Sequence, residues 1–416
     1  MVIGRRSITA TLVGTVAVLG LVLAGCSSSG SKDAAAPSGS TGEASPIAIG
    51  TELPLSGSVA PVPQMKAGID AAVSAVNAEG GIQGHPLQLK TCDTKFAVNT
   101  ELSCARSLIN SKVAAIVGGL IAADQSGQEF KLAAKAHIPV IGTAGLVPAE
   151  FTTAGVFPLS SGAAGWAVGA VKNLIAKGAK KIGLLILYVG NAVTNVQLAN
   201  ATLASAGLKA ASTVLVEPSA DPTFSSAAAK ATANGADGVL VLVTPDQAPK
   251  AYTALKNAGF KGLISTISSS AAPPVLKAAG SAAEGLLVTS LTAPATDVSN
   301  PGIKSFLADI HKYQPKGAIE DRSIQGWSAI RLFAKVLAGA SGASSAQTPT
   351  SEQILAAFNG ITTPIQLGTI GPFGPPPAKP YAPGYDRIFS PAVSNGVVKN
   401  GVLEPDGKGF VNPFVG

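Results

Sequence analysis

Apolar residues along this chain come in short solid runs, each followed by a stretch in which they recur at helical spacing. The first run is 47–51, then Ile69, Ala72, Val73 and Val76 at helical spacing, closed by Gly80-Gly81 as helix-terminating glycines. Runs at 87–92, 113–117 and 138–141 follow, separated by helical stretches around Cys104 and around Phe130, Ala133 and Ala134. Near 156–161 a second series begins. Its strands are expected at 181–187, 212–216, 238–243, 263–265 and 286–290. Its helices are expected at 166–177, 196–206, 224–234 and 252–257. Two longer helices, 303–313 and 324–338, come next, the second with Ile330, Phe333, Ala334 and Leu337 on one face. Thr350 and Gln353 form a capping box that opens a short helix to Phe358. The rest, rich in Gly and Pro, reads as short strands and turns.

Two successive runs of strand–helix alternation predict an α/β protein of two Rossmann-like lobes, with parallel-type sheets flanked by helices. Residues 111–146 are the most telling stretch. The strand at 113–117 breaks at Gly118-Gly119, and the strand at 138–141 breaks at Gly142-Thr143-Ala144-Gly145. Ligands of open parallel sheets bind beyond the carboxyl ends of strands. Small residues there leave room for a guest and leave backbone N–H groups uncovered. Half of a ligand cleft is therefore expected here, and chain turning alone is the plainer reading of the same glycines.

Composition adds size and an address. The chain has 416 residues, too many for one ordinary domain, and 46% hydrophobic content supplies ample core. Arg5 and Arg6 precede an apolar segment that ends in Leu23-Ala24-Gly25-Cys26. This is the layout of a secretory signal over 1–25. The ending resembles a bacterial lipobox, in which the cysteine, here Cys26, carries lipid; a plain secreted protein or an uncleaved membrane helix are the alternatives. The twin-arginine route is only weakly suggested over general export. Residues 26–46 are small and polar, and read as a flexible tether. The net charge is +7, but the basic residues are scattered singly, which argues against a nucleic-acid stripe. Beyond Cys26 two cysteines remain, Cys92 and Cys104. In an exported chain they suggest one disulfide, with two free buried thiols as the alternative.

The chemistry of catalysis is missing. There is no Gly-x-Ser-x-Gly elbow, no phosphate-cradling Gly-x-x-x-x-Gly-Lys-Ser/Thr stretch and no Gly-x-Gly-x-x-Gly fingerprint. The three histidines, His85, His137 and His311, lie in unrelated elements, so no metal site is expected. Nothing calls for a cofactor. An open α/β cleft without reactive groups reads as a binder.

Six motifs then fall in order: Ile47-Ala-Ile-Gly with Pro54-Leu-Ser-Gly57, Ala78-Glu-Gly-Gly-Ile-Gln-Gly84, Val113-Ala-Ala-Ile-Val-Gly118, Ile138-Pro-Val-Ile141, Ala282-Ala-Glu-Gly-Leu-Leu-Val-Thr289 and Gly326-Trp327-Ser-Ala-Ile-Arg-Leu-Phe333. With them the chain resembles the solute-binding proteins of ABC importers, in the leucine/isoleucine/valine receptor group, over about residues 47–395. The resemblance implies the type I fold with three hinge crossovers, near Leu159, Ser290 and Gly368. Lobe one would hold 47–158 plus 291–367, and lobe two 159–290 plus 368–416. It implies a monomer that closes on a small molecule and delivers it to permease subunits, anchored by lipid on the outer face of the cytoplasmic membrane.

Receptors of that group hold an amino acid's carboxylate with lobe-one hydroxyl and backbone donors, and its ammonium with a lobe-two acid. By position, the donors fall at Ala122, Ala144 and Leu146, the usual tyrosine near Val193, and the acid near Ser269. The polar anchors are thus absent together. Burying an ammonium without an acid costs several kcal/mol, so the expected ligand is largely apolar and lacks a cationic amine: a carboxylic acid, an amide, or an aromatic or terpenoid acid. Backbone N–H groups around Gly119 and Ala144 are expected to receive its oxygen. Ser56, Thr143, Thr244 and Ser269 would supply further polar contacts, and Leu120, Leu146, Val193 and Trp327 would line the pocket. A branched-chain amino acid receptor, a lipid-anchored sensor, an envelope enzyme and a structural envelope protein are the competing readings.

Overall fold

The computed structural model describes residues 44–57, 61–188, 192–217, 221–340 and 347–415. The signal segment, Cys26 and most of the tether lie outside them. Among the described residues no helix is long and apolar enough to cross a membrane.

The first half alternates as the periodicity predicts: β1 (Ile47–Leu53), α1 (Pro63–Ala78), β2 (Leu87–Asp93), α2 (Val98–Asn110), β3 (Ala115–Val117), α3 (Gln128–Lys135), β4 (Val140–Ile141), α4 (Pro148–Thr152) and β5 (Val156–Phe157). The five strands form one sheet, ordered β2-β1-β3-β4-β5, with every pair parallel. Then come α5 (Gly162–Ala176), β6 (Ile182–Leu187), α6 (Ala192–Ser205), β7 (Ala210–Val216), α7 (Ser225–Ala231), β8 (Gly238–Leu242), α8 (Ala248–Asn257), β9 (Leu263–Ile267), α9 (Pro273–Ala279) and β10 (Leu287–Ser290). A 3₁₀ turn, Ser268–Ala271, joins β9 to α9. The helices α10 (Pro301–Tyr313), α11 (Asp321–Ala338) and α12 (Ser351–Asn359) precede the hairpin of β11 (Val393–Lys399) and β12 (Val402–Val411).

The second sheet runs β12-β11-β10-β9-β8-β6-β7. It is not purely parallel: β11 pairs antiparallel with β10 and with β12. The tight turn at Asn400-Gly401 makes the β11–β12 pair antiparallel, because a parallel return would need a long crossover. β6 (IGLLIL) is buried at every position, as a central strand with helices on both faces must be.

Each sheet has its own core. Ile49, Ile69, Trp327, Ile330 and Phe333 belong to the first, with α1 and α11 packed together over the sheet. Two apolar layers, around Tyr252 and around Leu184, cover the faces of the second sheet. The chain passes from the first sheet to the second after β5, and back after β10. The last passage is drawn out: Ile370, Phe373 and Phe389 sit in the first core, and Tyr385 and Ile388 in the second.

Cys92, in β2, and Cys104, in α2, are disulfide-bonded with a Cα–Cα distance of 5.6 Å. The bond ties the first sheet's edge to a covering helix.

Candidate functional site

The carboxyl ends of β1, β3 and β4 carry the loops at the rim of the first sheet. These loops turn their N–H groups inward. Glu101, fully buried in the first turn of α2, accepts from Ala122, Ala123 and Asp124 at 3.1, 2.9 and 2.8 Å. Glu150, fully buried in α4, accepts from Gly145, Leu146 and Val147 at 2.9, 2.6 and 3.0 Å, and the buried Thr143 hydroxyl faces it. The Ala144 N–H donates to the Gly119 carbonyl, and the Leu120 N–H to the Glu52 carbonyl, both at 3.0 Å. The expectation that donors around Ala144 wait for a ligand oxygen is therefore corrected. Buried N–H groups must find partners, and here two internal carboxylates and neighbouring carbonyls supply them.

Two more acids lie beneath this rim. The Glu52 and Glu129 carboxyl oxygens are buried and have no hydrogen-bond partner. Burial, and then the nearby charge of Glu101, pushes Glu52 up to about 8. Burial, followed by Glu101, Glu52, Asp124 and Glu150, pushes Glu129 up to about 10. Both acids on this floor are thereby favoured in the neutral, protonated form.

The wall between the sheets has a different character. Trp166, in the second turn of α5, packs with Leu291 and Val393, and half-buried Leu146, Ile267 and Val411 join them. Leu146 comes from the first sheet's rim, Ile267 from the end of β9, and Leu291 from just past β10, so the cluster spans the strand ends of both sheets. The Trp166 indole is only 5% exposed, and its N–H is buried without an acceptor.

Over the Trp166 ring, 5.3 Å from its centroid, lies the guanidinium of Arg322 from the start of α11. One arm, Nη1, donates to Gln325 Oε1 at 3.0 Å. Burial pushes the Arg322 pKa down, against the charges of Asp321 and Glu320. Asp321 itself accepts from Ser290 Oγ (3.1 Å), Thr292 Oγ1 (2.6 Å) and Gln325 Nε2 (2.6 Å). No ion pair within 4.0 Å forms at Arg322 among the described residues.

Beside this group is a cavity of about 120 Å³, bounded by Ser268, Ala271 and Leu276, the Ser290–Thr296 segment, Glu320, Asp321 and Ile324. The turn at its edge is pinned from below. Tyr252 donates to the Ser270 carbonyl at 2.7 Å, and Ser270 Oγ donates to the Val243 carbonyl at 2.6 Å. A larger cavity, about 590 Å³, lies among Ile82, Lys335, Gln353 and Ile361, within the first lobe and away from the strand ends.

The residues singled out from sequence scatter around this wall. Leu146 is in it. Gly119, Leu120, Ala122, Thr143 and Ala144 are buried beneath the first rim. Ser56 is exposed, and its hydroxyl donates to Asp93 at 2.5 Å. Val193 is exposed on α6. Thr244 and Ser269 are half-buried at the ends of β8 and β9. Trp327, expected to line the pocket, is corrected: its ring is in the first core, edge-on to Phe306, and its N–H donates to Asp309 at 2.8 Å. Sequence reasoning missed Arg322 as a site residue and read Trp166 only as the start of a helix. The available signals were an arginine in a helix's first turn, against the macrodipole preference, and a lone large ring amid Gly and Ala.

Two strand-end rims that meet at an apolar wall are the layout of a two-lobed solute-binding protein. The chain belongs to the periplasmic binding protein family, whose model matches residues 46–377. Membership implies a body that works outside the cytoplasm. No curated protein sequence matches the chain. Among solved structures it is similar to the fatty acid ABC transporter substrate-binding protein from Thermomonospora curvata, at 18% identity and TM-score 0.73, covering 88% of this chain and 92% of that one. The R. palustris solute-binding protein in complex with benzoate matches at 18% identity and TM-score 0.70, over 88% and 96%. The branched-chain amino acid transporter protein LivJ from Streptococcus pneumoniae, in complex with isoleucine, matches at 18% and 0.70, over 88% and 100%.

Proposed function

We propose that this protein captures a largely apolar solute lacking a cationic amine between its two lobes, 47–158 plus 291–367 and 159–290 plus 368–416. It then delivers the solute to the permease subunits of an ABC importer. Cys26 carries the lipid that holds the monomer at the outer face of the cytoplasmic membrane, and the tether gives the body its reach. Solute contacts made only when both lobes meet it favour the closed form, which the permease reads.

The observation that carries this reading is the wall around Trp166, Leu146, Ile267 and Leu291. The end of β9 offers the serines Ser268, Ser269 and Ser270 instead of an acid, and the nearby Asp321 carboxylate already accepts from three neutral donors. An ammonium here would find no acid at the end of β9, and the nearby Asp321 and Glu320 charges already act on Arg322. Relatives of the same fold bind solutes described as a fatty acid and benzoate, which agrees with an apolar body.

Calorimetric titration tests the reading. Benzoate or a medium-chain fatty acid is expected to bind at micromolar strength, on the order of −8 kcal/mol. Leucine or isoleucine binding at that strength, with no response to the apolar acids, refutes it.

A further inference from the structure

We propose that Arg322, seated on the Trp166 ring, is the anion receptor of the crevice, so that the solute is a monocarboxylate whose carboxylate accepts from the guanidinium and from the indole N–H. The inference rests on the apolar-solute reading and narrows it to an acid.

Three observations converge. First, Arg322 has no carboxylate partner within ion-pair distance among the described residues, and Nη1 is bonded only to a neutral amide oxygen. A guanidinium presents five donors in a planar fork suited to carboxylate, and Arg322 is half-buried, where a charge gains from a partner. Asp321 is the nearest internal candidate, yet both its oxygens are held by Ser290, Thr292 and Gln325. Glu320 is a poor substitute, because burial pushes its own carboxyl up.

Second, Trp166 is 5% exposed and its N–H has no acceptor. A buried donor left unsatisfied costs about 1–3 kcal/mol, which an incoming oxygen would recover. The second tryptophan of the chain, Trp327, shows the contrast: its N–H is bonded to Asp309.

Third, six N–H groups at the alternative place for an anion are already taken. The loop N–H groups of the first rim are bonded to Glu101 and Glu150, above the Glu52 and Glu129 floor. An anion entering the crevice meets the Arg322 and Trp166 donors, with Asp321 and Glu320 beside Arg322 at the start of α11. Its apolar remainder then lies against Leu146, Ile267 and Leu291.

The test uses the full mature chain and two pairs of probes: benzoate with benzamide, and hexanoate with hexanamide. The wild type is expected to prefer each acid over its amide by about tenfold or more at neutral pH. Arg322→Gln should weaken the acid about 10- to 100-fold and leave the amide within about threefold, so that the preference disappears. Arg322→Lys should retain part of it. Trp166→Phe, which keeps a ring and removes the N–H, should weaken the acid several-fold. Amide binding by Arg322→Gln also reports that the variant is folded.

If Arg322→Gln keeps the wild-type preference for acid, or if the wild type binds the amides as well as the acids, the anion receptor is overturned while the apolar-solute reading stands. Wild-type binding of leucine alone, or of none of these probes, overturns both.

Discussion

Replacing Glu52 by glutamine should make this protein less stable or unchanged at pH 5 and more stable at pH 8. Glu52 is 1% exposed at the end of β1, its oxygens are unpartnered, and burial, with Glu101, raises it to about 8. In the unfolded chain a glutamate titrates at about 4.3. For an acid raised on folding, the stabilising proton is held fully below the unfolded value, and its contribution is lost as pH climbs towards the folded one. Each pH unit in that window removes about 1.4 kcal/mol, so Glu52 alone contributes a loss of about 3–4 kcal/mol between pH 5 and pH 8. Glu129, raised further, adds to the slope in the same direction. Asp93 does not interfere: burial raises it, but the Ser56 hydroxyl and three backbone N–H groups together outweigh that and hold it at about 2, below the window. Glutamine does not titrate, but its amide inherits a site without partners, at about 1–3 kcal/mol. The variant should therefore trail the wild type slightly at pH 5 and lead it by about 1–3 kcal/mol at pH 8. Urea denaturation of both proteins from pH 5 to pH 8 measures this directly. A stability difference that stays constant across the range would show that Glu52 is ionised and solvated in the native state, and the reasoning would fail.

Two further stability outcomes follow from packing and crosslinking. Removing the Cys92–Cys104 bond, which closes a separation of 12 residues, should cost about 2–3 kcal/mol; a double Cys→Ser variant melting at the wild-type temperature contradicts that. Gly326→Ala places a Cβ against the Met65 carbonyl where α1 and α11 touch, and should cost about 1–3 kcal/mol by forcing the helices apart. The control Gly339→Ala, whose Cβ would meet nothing closer than 3.6 Å, should be close to neutral in the same denaturation experiment.

The fold was largely legible because a central strand buried on both faces leaves an unmistakable apolar run, as β6 does. Elements too short to show a period escaped: the five-residue α4, the seven-residue α9 and the two-residue β5. The missed α4 carries Glu150, and with it the reason why the Gly145, Leu146 and Val147 donors are taken. Trp327 was misplaced because helical spacing says which residues share a face but not what that face meets. Arg322 and Trp166 were invisible as a pair, since distant segments of the chain bring them together. The alternation of buried and exposed positions encodes layers well. It encodes a contact between two layers only after both have been placed.

One close backbone contact governs how the crevice opens. The Ala163 N–H donates to the Gly145 carbonyl at 2.9 Å, and the two backbones meet so closely at Gly145 and Gly162 that neither position has room for a side chain. This stitch joins the loop after β4 to the first turn of α5, next to Leu146 and Trp166. Parts of a jaw near its pivot travel least. The greasy patch is therefore expected to stay assembled while the far lips swing, so that a solute lands on a finished surface and the second jaw arrives afterwards.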